Sequence, residues 1–106
     1  MRISVSAPGD HLKQTELDRI EADLAKIDRR LNGFNEEISA EVRVTPRPRA
    51  KGHQVVVELD FGRTHLIAKT ENDDLGIAVR EAREELLRQI NDRSRGGHSS
   101  FAKRAR

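Results

Sequence analysis

The chain has 106 residues, with 20 Lys+Arg against 18 Asp+Glu, 36% charged and 35% hydrophobic residues, and no cysteine. One core that buries roughly 65% of the unfolded chain's surface is what this length supports, and the cysteine count excludes disulfides, thiolate metal sites and cysteine nucleophiles. The net charge of +2 is far from the excess of a typical nucleic-acid binder, so any polyanion-binding role rests on where the charges fall.

Ile3 and Val5 alternate with Arg2, Ser4 and Ser6, which predicts a short strand ended by Pro8-Gly9. The stretch TELDRIEADLAKIDRRLNG follows. In it Thr15 and Asp18 have the spacing of a capping box, and Leu17, Ile20, Leu24, Ile27 and Leu31 recur at helical spacing up to Asn32-Gly33. A second strand places Ile38, Ala40, Val42 and Val44 on one face and ends in TPRPRAKG, whose prolines cannot continue a ladder. In VVVELDFGRTHLIAKT, Gly62-Arg63 reads as the two-residue turn of a hairpin, with glycine first as a II′ turn requires. The register then sets Phe61 opposite Thr64, Leu59 opposite Leu66, Val57 opposite Ala68 and Val55 opposite Thr70. Asn72 or Asp73 is expected to cap a second helix with the apolar stripe Leu75, Val79, Ala82, Leu86 and Ile90.

The expected fold is α+β in the order β-α-β-β-β-α. It is a four-stranded mixed sheet with the first two strands parallel and two parallel helices packed on one face. Residues 1–92 form the single domain. The tail, 93–106, is expected to be disordered and cationic, since Asp92 to Arg106 holds five basic residues, one acidic residue and the interruptions GG and SS.

No enzyme is expected. The four histidines do not cluster in this topology: His65 lies opposite Asp60 on the open sheet face, His53 at the far end of the hairpin, His11 before the first helix and His98 in the tail. No zinc-binding pair, glycine-rich phosphate loop or nucleophile elbow is present, and DFG at residues 60 to 62 is a turn without other kinase elements. No metal or cofactor is therefore predicted. The open face also lacks the aromatic residues on which an RRM-type sheet stacks bases, since the chain holds only Phe34, Phe61 and Phe101 and Phe61 points inward.

The helical charges carry more information. At about 100° per residue, Arg19, Lys26 and Arg30 line one flank of the first helix, with Asp18, Glu21 and Asp28 on the other. On the second helix Arg80 and Arg83 lie on one side of the stripe, and Glu81, Glu85 and Asp92 on the opposite side. These basic flanks have opposite hands, so on parallel neighbouring helices both face a shared groove or both face outward. A shared groove is a cationic channel suited to phosphate backbone, extended by Arg29 and Arg88, with Arg47, Arg49, Lys51, Arg93 and Arg95 as peripheral contacts. The competing reading is a solvated helix surface, with Arg80–Glu84 and Glu84–Arg88 as i,i+4 pairs.

Three segments, DLAKIDRRL, HQVVVELDFGRTHLIAKT and DDLGIAVREAREELLRQIND, resemble the ribosome hibernation-promoting factors, also called ribosomal subunit interface proteins or sigma-54 modulation proteins. The resemblance runs over about residues 2 to 93. It implies a fold related to double-stranded-RNA-binding domains. It also implies binding to ribosomal RNA in the small-subunit channel used by messenger and transfer RNA, which blocks initiation and preserves idle ribosomes in stress and stationary phase. The positions that match the family's basic residues are Lys26, Arg29, Arg30 and Arg88. Gly76 departs from the family by standing where many members carry Tyr, and Glu81, Glu84 and Glu85 make the second helix more acidic than usual. The chain stops soon after that helix, so the short form is implied, without ribosome dimerisation by this chain alone. The expected partner is the small ribosomal subunit, with no membrane and no small-molecule substrate. A cytoplasmic location is expected, because no apolar stretch approaches the roughly 20 residues of a membrane span and MRISVSAPG lacks the apolar run of a signal peptide. Two rival functions are a double-stranded-RNA-binding module acting off the ribosome, which the acidic Asp73-Asp74 start of the second helix disfavours, and a protein-interaction or regulatory module docking through the open sheet face or the last strand's edge.

Overall fold

The computed structural model describes residues 1–8, 12–31, 37–47 and 51–104, with side chains described as far as Arg93. The elements are β1 (Arg2–Ser6), α1 (Gln14–Arg30), β2 (Ile38–Pro46), β3 (His53–Phe61), β4 (Thr64–Asn72) and α2 (Leu75–Arg104). The sheet order is β1-β2-β3-β4, with β1 parallel to β2 and the other neighbours antiparallel.

Alternation explains which face of the sheet is covered. Ala40, Val42 and Val44 of β2, Val55, Val57 and Leu59 of β3, and Leu66 and Ala68 of β4 point one way and are buried. Against them lie Ile20, Leu24 and Ile27 of α1 and Leu75, Val79, Ala82, Leu86 and Ile90 of α2. The largest enclosed side chains contribute about 1.5–3 kcal/mol each in removed apolar surface, which carries a small domain with so charged an exterior.

The hairpin register is the expected one, pair for pair from Phe61–Thr64 to Val55–Thr70. Gly62 has φ 59° and no non-glycine residue among the described residues has positive φ, so the turn has its left-handed residue first and Arg63 in ordinary geometry. Gly52, at φ 103°, is needed for a second reason: a Cβ there would run into the Asn72–Asp73 backbone, where β4 passes into α2.

Both helix starts differ from the sequence reading. For α1 the expected Thr15–Asp18 box gives way to Glu16, whose carboxylate accepts the Lys13 N–H at 2.8 Å. Asp18 instead accepts from Gln14 Nε2 at 2.9 Å. The helix thus begins one residue before Thr15, putting Thr15 inside the first turn, where it is no longer placed to cap. For α2 the cap is Asp74, not Asn72 or Asp73: its Oδ1 accepts the Ile77 N–H at 3.1 Å. Asn72 Oδ1 accepts the Asp74 N–H at 2.9 Å and so shapes the turn that delivers the cap.

The helix α2 runs on to Arg104, past residue 93, from which a disordered cationic tail was expected. Once a helix is nucleated each added residue gains a hydrogen bond, and Gly96-Gly97 costs only about 1 kcal/mol per glycine, whereas a helix-breaking proline is absent from this stretch. The expected stops at Pro8-Gly9 and Asn32-Gly33 fall partly or wholly outside the described residues, as do His11 and Phe34.

Candidate nucleic-acid interface

Three cross-helix contacts fix how α1 and α2 lie. A Cβ at Gly76 would come within 2.7 Å of Arg19 Nη1. Arg83 Nη1 donates to Asp23 Oδ1 at 2.8 Å. Arg30 Nε donates to Asn91 Oδ1 at 2.9 Å. Residue numbers rise together along both helices, so they run parallel, and the basic flanks meet in the space between them.

That space is a groove of about 440 Å³. Four cations, Arg19, Lys26, Arg80 and Arg83, and two carboxylates, Asp23 and Asp74, line it. Of the two geometries left open by the sequence, the basic flanks therefore face the shared channel. Arg19, Lys26 and Arg80 are exposed. Among the described residues none of these three is held in an ion pair. The expected Arg80–Glu84 and Glu84–Arg88 pairs do not form among the described residues; Glu84 lies 3.8 Å from Arg83 Nη2 instead.

The other predicted cations sort differently. Arg83 is buried, at 8% exposure, against Asp23. Arg88 is absent from the groove lining and is engaged by Glu85 and by Asp92, the latter at 3.1 Å. It lies on the flank of α2 away from α1, because one-turn spacing places it with Glu81 and Glu85 rather than with Arg80. These contacts have a mutual effect on ionisation: the hydrogen bond from Arg88 holds the Glu85 carboxyl below its ordinary range, and the same bond raises Arg88. Arg29 is exposed, on the side of α1 opposite the apolar stripe by its azimuth, and does not line the groove. Arg30 is likewise absent from the groove lining and bonds Asn91 across the helices.

Of the peripheral residues, Arg47 is held by Asp73 at 3.0 Å and donates to the Lys51 carbonyl at 3.2 Å. Lys51 is exposed near the helix N-termini. Arg93 reaches the start of β4, 3.5 Å from Thr64 Oγ1. Arg49 lies outside the described residues, as do the side chains of Arg95, His98 and Phe101. Two polar residues that the sequence reading did not single out, Asp23 and Asn91, complete the cross-helix contacts. The signal for Asp23 was its azimuth, about 70° from the stripe of α1 and on the basic side.

A second cleft of about 390 Å³ opens at the N-terminal ends of the helices. Glu16, Asp73 and Asp74 outnumber Arg19 and His53 in its lining, so it is the less suitable of the two for a phosphate.

The open sheet face has a different character. Glu41 stands directly opposite Glu58, and Asp60 opposite His65. His65 Nδ1 lies 2.6 Å from Asp60 Oδ1 and its Nε2 3.5 Å from Glu58. The Asp60 hydrogen bond, with the nearby charges, lifts the imidazole above its ordinary value. Ile67 is the exposed large apolar side chain, and no aromatic residue stands on this face among the described residues, since Phe61 is buried on the other side.

A mixed four-stranded sheet with two parallel helices on one face, and a cation-lined channel between the helices, defines a small α+β domain whose positive side is its interhelical groove. Residues 5–95 match the sigma 54 modulation protein / S30EA ribosomal protein family, and the chain belongs to that family. Membership makes it a ribosome-associated protein. Two solved structures are similar to it in fold. The N-terminal domain of Thermus thermophilus Protein Y superposes with a TM-score of 0.72 at 21% identity, covering 85% of this chain and 96% of that one. A ribosomal subunit interface protein from Coxiella burnetii gives 0.73 at 14% identity, covering 89% and 98%. No curated protein sequence matches the chain. No described helix is long and apolar enough to cross a membrane, and no described group of His, Cys, Asp or Glu is arranged to hold a metal ion.

Proposed function

We propose that this protein is a translation inhibitor that binds ribosomal RNA in the decoding channel of the small subunit and blocks access of messenger and transfer RNA. The observation that carries the reading is the interhelical groove, which Arg19, Lys26 and Arg80 line without a carboxylate partner among the described residues. Phosphate backbone fits such a site, because it needs positive charge in a fixed register and no base-reading chemistry. The sheet face, with opposed carboxylates and no aromatic platform among its described residues, supports RNA poorly. The family supplies the ribosome as the setting in which that RNA is met. Nothing in this action calls for catalysis or a cofactor: the protein acts by occupying the channel.

Ribosome co-sedimentation over a salt series tests the proposal. Lys26→Glu with Arg80→Glu is expected to release the protein from small subunits and to relieve inhibition in a translation assay. Parental co-sedimentation of the doubly reversed protein at moderate salt would remove the groove from the mechanism. Bound protein that left messenger and transfer RNA binding untouched would remove the channel.

A further inference from the structure

Arg83 belongs to the groove's cationic flank by sequence, yet among the described residues it is the one groove cation committed to a carboxylate. Its side chain is 10% exposed and that of Asp23 17%, so the pair is enclosed between the helices. Among the described residues its Nε is enclosed without an acceptor. A phosphate arriving from solvent has little of this guanidinium to touch.

The position of Asp23 on α1 shows what the pair does. Arg19 precedes Asp23 by four residues and Lys26 follows it by three, the spacings at which intrahelical ion pairs form. Neither pair is present, because the carboxylate is turned across the groove to Arg83. Both neighbouring cations keep their full charge toward the channel. An unmasked Asp23 would do two things at once: neutralise one of them, and set a negative charge where a phosphate must lie.

We infer that Arg83 is a positioning residue. It sequesters the Asp23 carboxylate, and so keeps Arg19 and Lys26 free for phosphate, without itself contacting the RNA. The inference rests on the groove reading above and specifies how that groove is kept positive.

Ribosome binding across a salt series decides the matter, with Arg83→Met, the double variant Asp23→Asn/Arg83→Met, and Lys26→Glu compared with the parent. With Asp23 unmasked, Arg83→Met is expected to bind about tenfold more weakly at moderate salt, with a log–log salt slope shallower by about one. The double variant removes both partners together, which buried ion pairs tolerate far better than loss of one. It is expected to bind within about threefold of the parent with the parental slope, although it has lost a groove cation. A phosphate-contacting Arg83 gives a different result: the double variant stays as weak as the single one, with its slope reduced by about one, and the inference is overturned. Should Arg83→Met unfold at the assay temperature, the slope of the double variant alone carries the decision. Lys26→Glu separates the two levels. Parental binding by that variant overturns the groove reading and this inference with it, while loss of binding alongside a shallow-sloped double variant overturns the inference alone.

Discussion

The groove makes a quantitative prediction about salt that a merely adhesive surface does not. Replacing Lys26 and Arg80 by alanine removes two of the three groove cations that have no ion pair among the described residues, while leaving the core untouched, since both side chains are exposed. If each neutralises one phosphate, the log–log salt slope should fall by about 0.9 per contact, or about 1.8 for the pair, on the scale established for duplex nucleic acid. Between about 50 and about 200 mM salt, a fourfold change, the parent should therefore lose about twelvefold more affinity than the variant. Co-sedimentation with small subunits at several salt concentrations measures both slopes, and unrelated contacts elsewhere on the protein cancel in the difference. Equal slopes, whatever the absolute affinities, would refute the assignment of these side chains to phosphate.

Gly76→Ala should be close to neutral or slightly stabilising in thermal unfolding, since alanine is the better helix former by about 1 kcal/mol. It should still weaken ribosome binding, because the new Cβ displaces the Arg19 guanidinium, now 2.7 Å from that point. Leu24→Ala, at a fully enclosed site, should cost about 2–5 kcal/mol and move the urea midpoint with little change in slope. His65 is held above the ordinary imidazole value of about 6.5, so its contribution to stability is full below that value and is lost as pH rises through the elevated folded-state value. The urea-midpoint difference between parent and His65→Gln should thus shrink as pH is raised from about 6 to about 9, and a constant difference would count against the Asp60 contact.

How much was legible in the sequence depends on the range over which each feature is decided. The β3–β4 register followed from Gly62-Arg63 because a two-residue turn leaves one pairing that puts Val55, Val57, Leu59 and Phe61 on the core side. Helical azimuth plus the parallel arrangement of α1 and α2 reduced the basic flanks to two arrangements, both toward a shared groove or both outward, and only the packing of the helices selects the first. The partners chosen by individual charges did not follow. Arg88 has Glu84, Glu85 and Asp92 all within reach along its own helix, and side-chain geometry selects Glu85 and Asp92. Asp23 looks equally suited to Arg19 and Lys26, and only the close approach of α2 gives it to Arg83. The helix caps were missed for a related reason: Thr15 and Glu16 are both credible capping residues, and the path of the chain into α1 decides between them. At the cationic end of α2 composition signals disorder while helix propagation meets no proline, and the local sequence does not weigh one against the other.

The same distinction explains how a chain of net charge +2 carries a groove lined mostly by cations. Counting charges treats Arg83, Arg88 and Arg47 as equal to Arg19, Lys26 and Arg80, although the first three are already paired with Asp23, Glu85 and Asp92, and Asp73. A paired cation presents a dipole, whose field falls off faster than that of a lone charge and attracts a phosphate weakly. The groove's potential is therefore set by Arg19, Lys26 and Arg80 against the Asp74 carboxylate, and the pairings of the other charges determine its strength. On this account a substitution that breaks one internal pair changes RNA affinity through the partner it releases as well as through the charge it removes. Helix acids matter according to which cation they hold: Glu85 is engaged by Arg88 on the far flank and leaves the groove undiluted, whereas Glu84 lies 3.8 Å from the groove cation Arg83.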